Sequence, residues 1–471
     1  MHAGVLWTEE DLPLAAARQM LRGAVIYRDI WFDKPPLVPA IYLLWGAHIG
    51  WVLRLAGALY ALTACVLAFG LASTWWSVRE GYWAAALTGF FLTFDTHSAV
   101  LPLAADLLLL VPHLAAILLT ARKHYFAAGV AAGIGFLFNT KAALVLIACA
   151  AFGWAGILPL LAGFVLPNIA ALLWLSGSGA LPAYIDQVWR WPAQYATSPV
   201  VADPVWNGVI RTANWLGFHA VLVAGFIAWL CASKPDQNER WRRIAILIWL
   251  ALAVVGVVAG MRFFPRYYFL LLPAILIPAA RGLSLVPPRF AAVAALLMVI
   301  PLVRFAPRYV NLTGWNDLAL DQDSRAASRI AKQYAPPAGS LYVWGYRPED
   351  YLYTGLRAAT RYLECQALTG VPADRHLAQS TVVLTEGTHE AREQLAASHP
   401  DVLIDGLSLY NPSLSMDHYP ELRPWLDGYR EVARTRGSVI YVGRHTVASV
   451  ARSSATSTIG PWINRTQNAS W

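Results

Sequence analysis

Charge is scarce in this chain. Only 14% of its 471 residues are Asp, Glu, Lys or Arg, against about a quarter in soluble globular domains. That scarcity argues against an ordinary cytosolic enzyme and against a disordered or fibrous chain. Cysteine is scarce too. Of the 4 present, Cys65, Cys149 and Cys231 lie in apolar runs and Cys365 in a polar region, with no CxxC spacing. A disulfide framework and a thiolate zinc site are both disfavoured. The net charge is +8, yet there is no basic run interleaved with aromatics, no zinc-finger spacing and no recognition-helix pattern, so nucleic acid is not the expected partner. What abounds is apolar: 57% of residues are hydrophobic, 21 are Trp, and the mean hydropathy is +0.46. Because these residues come in long runs, they imply membrane spans rather than an enlarged core.

The runs predict about ten spans, over 51–75, 82–94, 99–120, 125–139, 141–152, 156–175, 212–231, 244–260, 267–280 and 290–303. Asn139-Thr140-Lys141 divides 125–152 into two short helices. Arg79, Arg122, Lys123, Lys234, Arg240, Arg242, Arg243, Arg281 and Arg289 then share the cytoplasmic side. Segments 8–34, 95–98, 176–211 and 262–266 share the outer side. After Phe305 charge returns and the apolar runs shorten. A helix is expected over 324–334 and another over 389–397, with strands over 340–344, 381–385, 402–404 and 438–442. The fold class is therefore a mostly α polytopic membrane protein with a small C-terminal α/β extramembrane domain. The expected domains are 1–50, an outer loop with interfacial helices; 51–304, the transmembrane helices; 305–446, the extracytoplasmic α/β domain; and 447–471, a Ser-, Thr- and Asn-rich tail expected to be disordered.

Several polar groups stand where chemistry is possible. Glu9, Glu10 and Asp11 follow Thr8 directly. Three carboxylates at a membrane surface can supply a general base or cation ligands; equally, Thr8 and Asp11 fit a capping box. Pro35-Pro36 impose an extended approach to the next helix and hold Lys34 near the interface, where its ammonium meets a phosphate or simply snorkels. Asp106 falls about seven residues inside 99–120, roughly 10 Å deep at 1.5 Å per residue. A carboxylate there is costly unless paired or facing a wet cavity, so its default reading is functional. His113, two turns on, reads as a hydrogen-bonded core residue. Asp95 and His97 form an Asp-x-His pair that is a loop turn or part of a metal site. Lys141 contacts an anionic substrate or caps the preceding helix. Arg262, Arg266 and Tyr267 belong to a run of guanidiniums and aromatics that suits a phosphate beside a lipid chain, or an interfacial belt. All these motifs fall on the same predicted face.

The sequence also resembles a known family. Glu9-Glu10-Asp11, Ala17-Arg18-Gln19-Met20-Leu21, Gly23, Tyr27-Arg28-Asp29 and Asp33-Lys34-Pro35-Pro36-Leu37 look like the first outer loop of GT-C superfamily glycosyltransferases, the bacterial protein-mannosyltransferase-like and aminoarabinose-transferase-like members above all. Phe138-Asn139-Thr140-Lys141, Arg262-Phe263, Tyr267-Tyr268-Phe269-Leu270 and Val343-Trp344-Gly345-Tyr346 are similar to further stretches of such proteins. The resemblance implies inverting transfer of a hexose or pentose from a polyprenyl-phosphate carrier to a hydroxyl or amine, at the periplasmic face of the bacterial inner membrane. The implied partners are the polyprenyl-phosphate sugar, membrane lipid and a glycan, lipid or protein acceptor. Glu9, Glu10 or Asp11 would be the base and Asp106 the second acid. Lys34, Arg28, Lys141, Arg262, Arg266 and Tyr267 would bind substrate. No cofactor is implied with certainty; a divalent metal ion is the candidate. The family carries a transmembrane helix before the acidic loop. Here that helix is expected to be missing, the chain starting at its end, over 4–7. The alternative function is a transporter or flippase of a lipid-linked sugar or polyprenyl phosphate, which should show internal repeat symmetry; the sequence shows none.

Overall fold

A computed structural model describes residues 2–95, 100–196, 203–232, 237–310, 316–372, 377, 380–444 and 446. His97 and the tail beyond residue 446 fall outside the described residues. The chain divides into two compact units between Ala319 and Leu320.

The first unit is helical. Its helices are α1 (Asp11–Met20), α2 (Leu37–Ala40), α3 (Trp51–Trp75), α4 (Val78–Phe94), α5 (Ala105–Leu108), α6 (Leu110–Ala121), α7 (Tyr125–Phe138), α8 (Ala142–Phe152), α9 (Ile157–Gly177), α10 (Leu181–Tyr184), α11 (Trp191–Ala196), α12 (Pro204–Phe218), α13 (Ala220–Cys231), α14 (Gln237–Val258), α15 (Leu272–Leu285), α16 (Pro288–Leu296), α17 (Val299–Phe305) and α18 (Pro307–Val310). A π-helical turn, Ile185–Arg190, joins α10 to α11, and a 3-10 turn, Pro265–Leu270, precedes α15.

At 1.5 Å per residue the 25 residues of α3 reach roughly 37 Å, more than the hydrocarbon core of a bilayer. Among the described residues four segments are long and apolar enough to cross a membrane: Trp51–Trp75, Trp154–Gly177, Glu239–Val258 and Pro288–Val310. The pair α12 and α13 makes a fifth if its 83° bend is one broken span. The protein is a multi-pass membrane protein. Ala105–Ala121, Tyr125–Phe138, Ala142–Phe152 and Leu272–Leu285 are apolar but shorter, so helix length does not by itself deliver the expected count of ten.

The breaks between short helices have local causes. Asn139 is extended (φ −156°, ψ 124°) and its side-chain oxygen accepts the Lys141 N–H at 3.1 Å, an Asx turn that stops α7 and starts α8. The run 99–120 differs from the expectation. Ala104 is extended, following Pro102, which lacks a backbone donor and biases Leu101 away from helix. Helix therefore begins only at Ala105. Asp106 sits in the first turn of a short helix, not two turns inside a long one.

Close helix crossings rest on glycine. A Cβ on Gly129 of α7 would lie 2.0 Å from the Leu160 carbonyl, and one on Gly163 of α9 would lie 2.0 Å from the Phe126 carbonyl. Gly282 of α15 faces the Gly225 carbonyl of α13 at 1.7 Å by the same construction. Lipid supplies no hydrophobic drive between helices, so backbones this close gain stability from van der Waals contact. The bundle has two chemically distinct ends. At one, Arg281 bonds Glu80, Arg242 Nη1 donates to the Trp75 carbonyl at 2.8 Å, and Arg122 Nε reaches Thr74 Oγ1 at 3.4 Å. The other end carries Asp95, Asp106, Lys141 and the Arg262–Tyr268 segment.

In the second unit, beginning within α19 (Asn316–Tyr334), the strands β1 (Ser340–Trp344), β2 (Arg357–Ala358), β3 (Val402–Asp405), β4 (Tyr429–Arg434) and β5 (Val439–Gly443) form one sheet of order β2-β1-β3-β5-β4. β1 pairs in parallel with β2 and β3, while β5 runs antiparallel to β3 and β4. Its helices are α20 (Glu349–Thr354), α21 (Gln366–Thr369), α22 (Glu386–Ala396) and α23 (Arg423–Leu426). The strand expected over 381–385 is absent. Thr385 instead caps α22, trading hydrogen bonds with Thr388, a local pairing that outcompetes a ladder. Trp344 is fully buried and donates to the Leu414 carbonyl at 3.0 Å, so it is a core residue of this unit.

Replacing Gly282 by Val is expected to force α13 and α15 apart and cost about 1–3 kcal/mol. Thermal unfolding in detergent measures this, and a midpoint equal to wild type would show that the crossing tolerates a side chain.

Candidate functional site

Three acids lead the first loop, and the fold gives each a different place. Glu10 is fully buried. It accepts the Trp7 N–H at 3.0 Å and pairs with Arg54 of α3. Burial pushes its carboxyl above the usual carboxylate range, with Arg54 and the Trp7 N–H pulling the other way. Asp11, also buried, turns one oxygen to the backbone, accepting the Leu12 N–H at 2.7 Å and the Glu9 N–H at 2.9 Å. Glu9 alone of the three is part-exposed at its side chain and meets another site cation, pairing with Arg266. Its φ of +85° is a left-handed conformation that costs a non-glycine residue about 1–3 kcal/mol. The buried contacts of the next two residues, Glu10 and Asp11, hold it there.

The Lys34 loop is held from within. Tyr27, also at positive φ (67°), is buried and donates its hydroxyl to the Lys34 carbonyl at 2.7 Å. Gln187, from the π-helical turn, accepts the Phe32 N–H at 2.9 Å and donates to the Tyr27 carbonyl at 3.0 Å. One amide thus fixes both ends of the turn. Lys34 Nζ, half-exposed, is 2.7 Å from Asp33 Oδ2 and lies within electrostatic reach of Asp106 and Tyr267.

Asp106 is the meeting point of several elements. Its Oδ1 accepts from Asn139 Nδ2 at 2.9 Å and lies 3.4 Å from Lys141 Nζ. That ammonium sits 3.2 Å from the Tyr267 ring centre, a cation–π contact. Tyr267 also feels Lys34, Arg262 and Arg266 electrostatically, and Arg262 is buried. The structure therefore brings Glu9, Lys34, Asp106, Lys141, Arg262, Arg266 and Tyr267 into one neighbourhood. Such a set can hold an anion on several cations while a carboxylate accepts a proton beside it.

Other candidates go elsewhere. Arg28 is exposed, chelated by Asp29 (2.8 Å from both Nε and Nη2), and donates to the Ser178 carbonyl at 3.2 Å; its described contacts do not reach the cluster. Asp95 faces His219, with Oδ1 3.2 Å from Nε2. Its expected companion, His97, lies outside the described residues. His113 accepts a hydrogen bond from the Trp249 indole at 2.7 Å, as a core histidine should. Among the described residues no three His, Cys, Asp or Glu side chains gather as metal ligands. The roles of Asp33, Arg54, Asn139 and Gln187 were not read from sequence. Asp33 and Asn139 stand within motifs named above, whereas Arg54 and Gln187 act over 44 and 155 residues of separation, which no local pattern reports.

No protein-family model and no curated protein sequence matches the chain. Solved structures do. The crystal structure of ArnT from Cupriavidus metallidurans in the apo state aligns over 95% of this chain and 95% of that chain, with a TM-score of 0.57 at 16% identity. The same protein bound to undecaprenyl phosphate gives the same values. The chain shares the fold of that protein over nearly its whole length. A crystal structure of the Archaeoglobus fulgidus oligosaccharyltransferase in complex with Zn and sulfate aligns over 93% of this chain and 69% of that chain at 12% identity, with a TM-score of 0.46, too low to carry argument. The cluster occupies one end of the helical unit, where the acidic loop, α5, the α7–α8 turn and the 262–268 segment meet.

Removing Arg54 leaves the Glu10 carboxylate buried and uncompensated. Arg54→Met is expected to destabilise the protein by about 3–5 kcal/mol, and adding Glu10→Leu to recover most of that loss. Denaturant unfolding in detergent decides, and a double variant as unstable as the single one would refute the clamp.

Proposed function

We propose that this protein is a membrane glycosyltransferase that moves a sugar from a polyprenyl-phosphate carrier to an acceptor hydroxyl or amine. The observation that carries the reading is the gathering of Lys34, Lys141, Arg262 and Arg266 around Tyr267, with Glu9 and Asp106 between them, in a chain of ArnT-like fold. ArnT binds undecaprenyl phosphate, and a carrier phosphate of that class suits four cations at the end of an apolar bundle.

Glu9 is the base in this reading. It pairs with Arg266 at the cluster, whereas Glu10 pairs with Arg54 of α3 and Asp11 turns one oxygen to the loop backbone. The acceptor oxygen or nitrogen attacks the anomeric carbon from the side opposite the phosphate. Its proton passes to Glu9, and the C1–O bond breaks with its electron pair leaving on the polyprenyl phosphate. A single in-line displacement inverts the anomeric centre. Lys34, with half of its side chain exposed, and Arg266 stabilise the departing charge. Asp106, held by Asn139 and Lys141, orients the sugar. The transferred group is a hexose or pentose. With the bent pair, the four shorter apolar helices and α4 counted beside the four long spans, the chain crosses a bacterial inner membrane about ten times, with this site on the periplasmic face.

The test is an in vitro transfer assay with a panel of polyprenyl-phosphate sugars. Glu9→Gln is expected to lower kcat by about 100-fold or more, and Lys34→Met to weaken donor use. Glu10→Gln and Asp11→Asn are expected to act chiefly on stability. Full activity in Glu9→Gln would remove it as the base, and an inert wild type across the panel would overturn the reading.

A further inference from the structure

Asp95 and His219 take no part in the chemistry above, yet both side chains are almost wholly buried. Nδ1 of His219 lies 2.8 Å from the Trp215 carbonyl, a bond it makes only as a donor. Nε2 then faces Asp95 Oδ1 at 3.2 Å, a buried polar contact between the end of α4 and the residue that joins α12 to α13. The imidazole also stacks on two rings, Phe91 at 4.5 Å and Trp215 at 4.0 Å. A pair of this kind is a poor device for stability alone, since well-packed apolar side chains of similar volume usually serve as well or better. What it supplies is direction.

That direction falls at an elbow. His219 is the residue between α12 and α13, which meet at 83°. On the α12 side, the Trp215 ring stacks on Tyr268 with centres 5.4 Å apart and planes 20° from parallel. Thr212 Oγ1 and the Tyr268 hydroxyl are 2.8 Å apart. Gly208 lies so close to Phe263 that a Cβ would come within 2.5 Å of its ring. Three consecutive turns of α12 therefore lie along residues 263–268, the segment that bears Arg266 and Tyr267.

We propose that Asp95 and His219 are positioning residues for the transfer site. They set the α12–α13 elbow, and the Trp215–Tyr268 stack carries that setting to Arg266 and Tyr267. The consequence for catalysis rests on the glycosyltransferase reading; the mechanical relay does not.

The experiment uses the full chain in detergent. It measures hydrogen exchange over residues 262–271 and, separately, binding of undecaprenyl phosphate. Asp95→Ala is expected to speed exchange in that segment by about tenfold or more and to weaken binding about tenfold, a change of ~1.4 kcal/mol. Asp95→Asn should restore both, because its side chain keeps the same shape and a polar atom facing Nε2. Trp215→Leu should match Asp95→Ala although it leaves the Asp95–His219 pair in place, and it decides the matter alone if Asp95→Ala does not fold. Unchanged exchange over 262–271 in Trp215→Leu, or failure of Asp95→Asn to restore it, overturns the relay. Wild-type protein that shows the exchange pattern but does not bind undecaprenyl phosphate supports the relay and defeats the glycosyltransferase reading instead.

Discussion

A charge at the end of an apolar bundle must be neutralised where it stands, because water is thin there and the alternative is desolvation without return. The polar features of the helical unit follow from that constraint. Glu10 meets Arg54, Glu9 meets Arg266, Lys34 meets Asp33, and Asp106 meets Lys141. Each pair joins or braces an element that packing alone would leave loosely placed. Glu10–Arg54 ties the first loop to α3. Asp106–Lys141, with Asn139, ties the start of α5 to the α7–α8 turn. At the far end of the bundle Glu80–Arg281 links α4 to α15. The same kind of pairing that stabilises the fold thus gathers Glu9, Lys34, Asp106, Lys141 and Arg266 at one end of the helical unit.

The pairs differ in what they leave free, and that difference assigns roles. Glu10 is sealed and serves as an anchor. Asp11 has its oxygen on backbone donors and shapes the turn. Glu9, in a left-handed conformation, is presented outward to Arg266. Lys34 keeps half of its side chain exposed while Asp33 holds it. Strain at Glu9 and Tyr27, and the π-helical turn that carries Gln187, cluster in the elements that build this site, as irregular backbone commonly does where geometry serves chemistry.

Much of the plan was legible in one dimension. The apolar runs located most of the helices, since period and hydropathy are local properties. The Asn139-Thr140-Lys141 break was readable because an Asx turn is a local competitor of helix. Strands β1, β3 and β5 were readable because they are buried and apolar. β4 was not, because Tyr429–Arg434 is an edge strand of mostly charged and exposed residues. The strand expected over 381–385 failed because a capping box at Thr385 took the backbone first. The helix that carries Asp106 begins at Ala105 rather than near residue 99, with Ala104 extended two residues after Pro102.

By itself the sequence determined that the chain is a membrane protein, that acids and cations recur in the segments between its apolar runs, and which residue types are available for chemistry. These follow from composition and short-range pattern. Only the tertiary structure decided which acid meets which cation, that Glu9 rather than Glu10 faces the cluster, and that Asp95 pairs with His219. Those choices depend on helices remote in sequence approaching through glycine contacts, and on desolvation, which is a property of the assembled bundle and not of any segment.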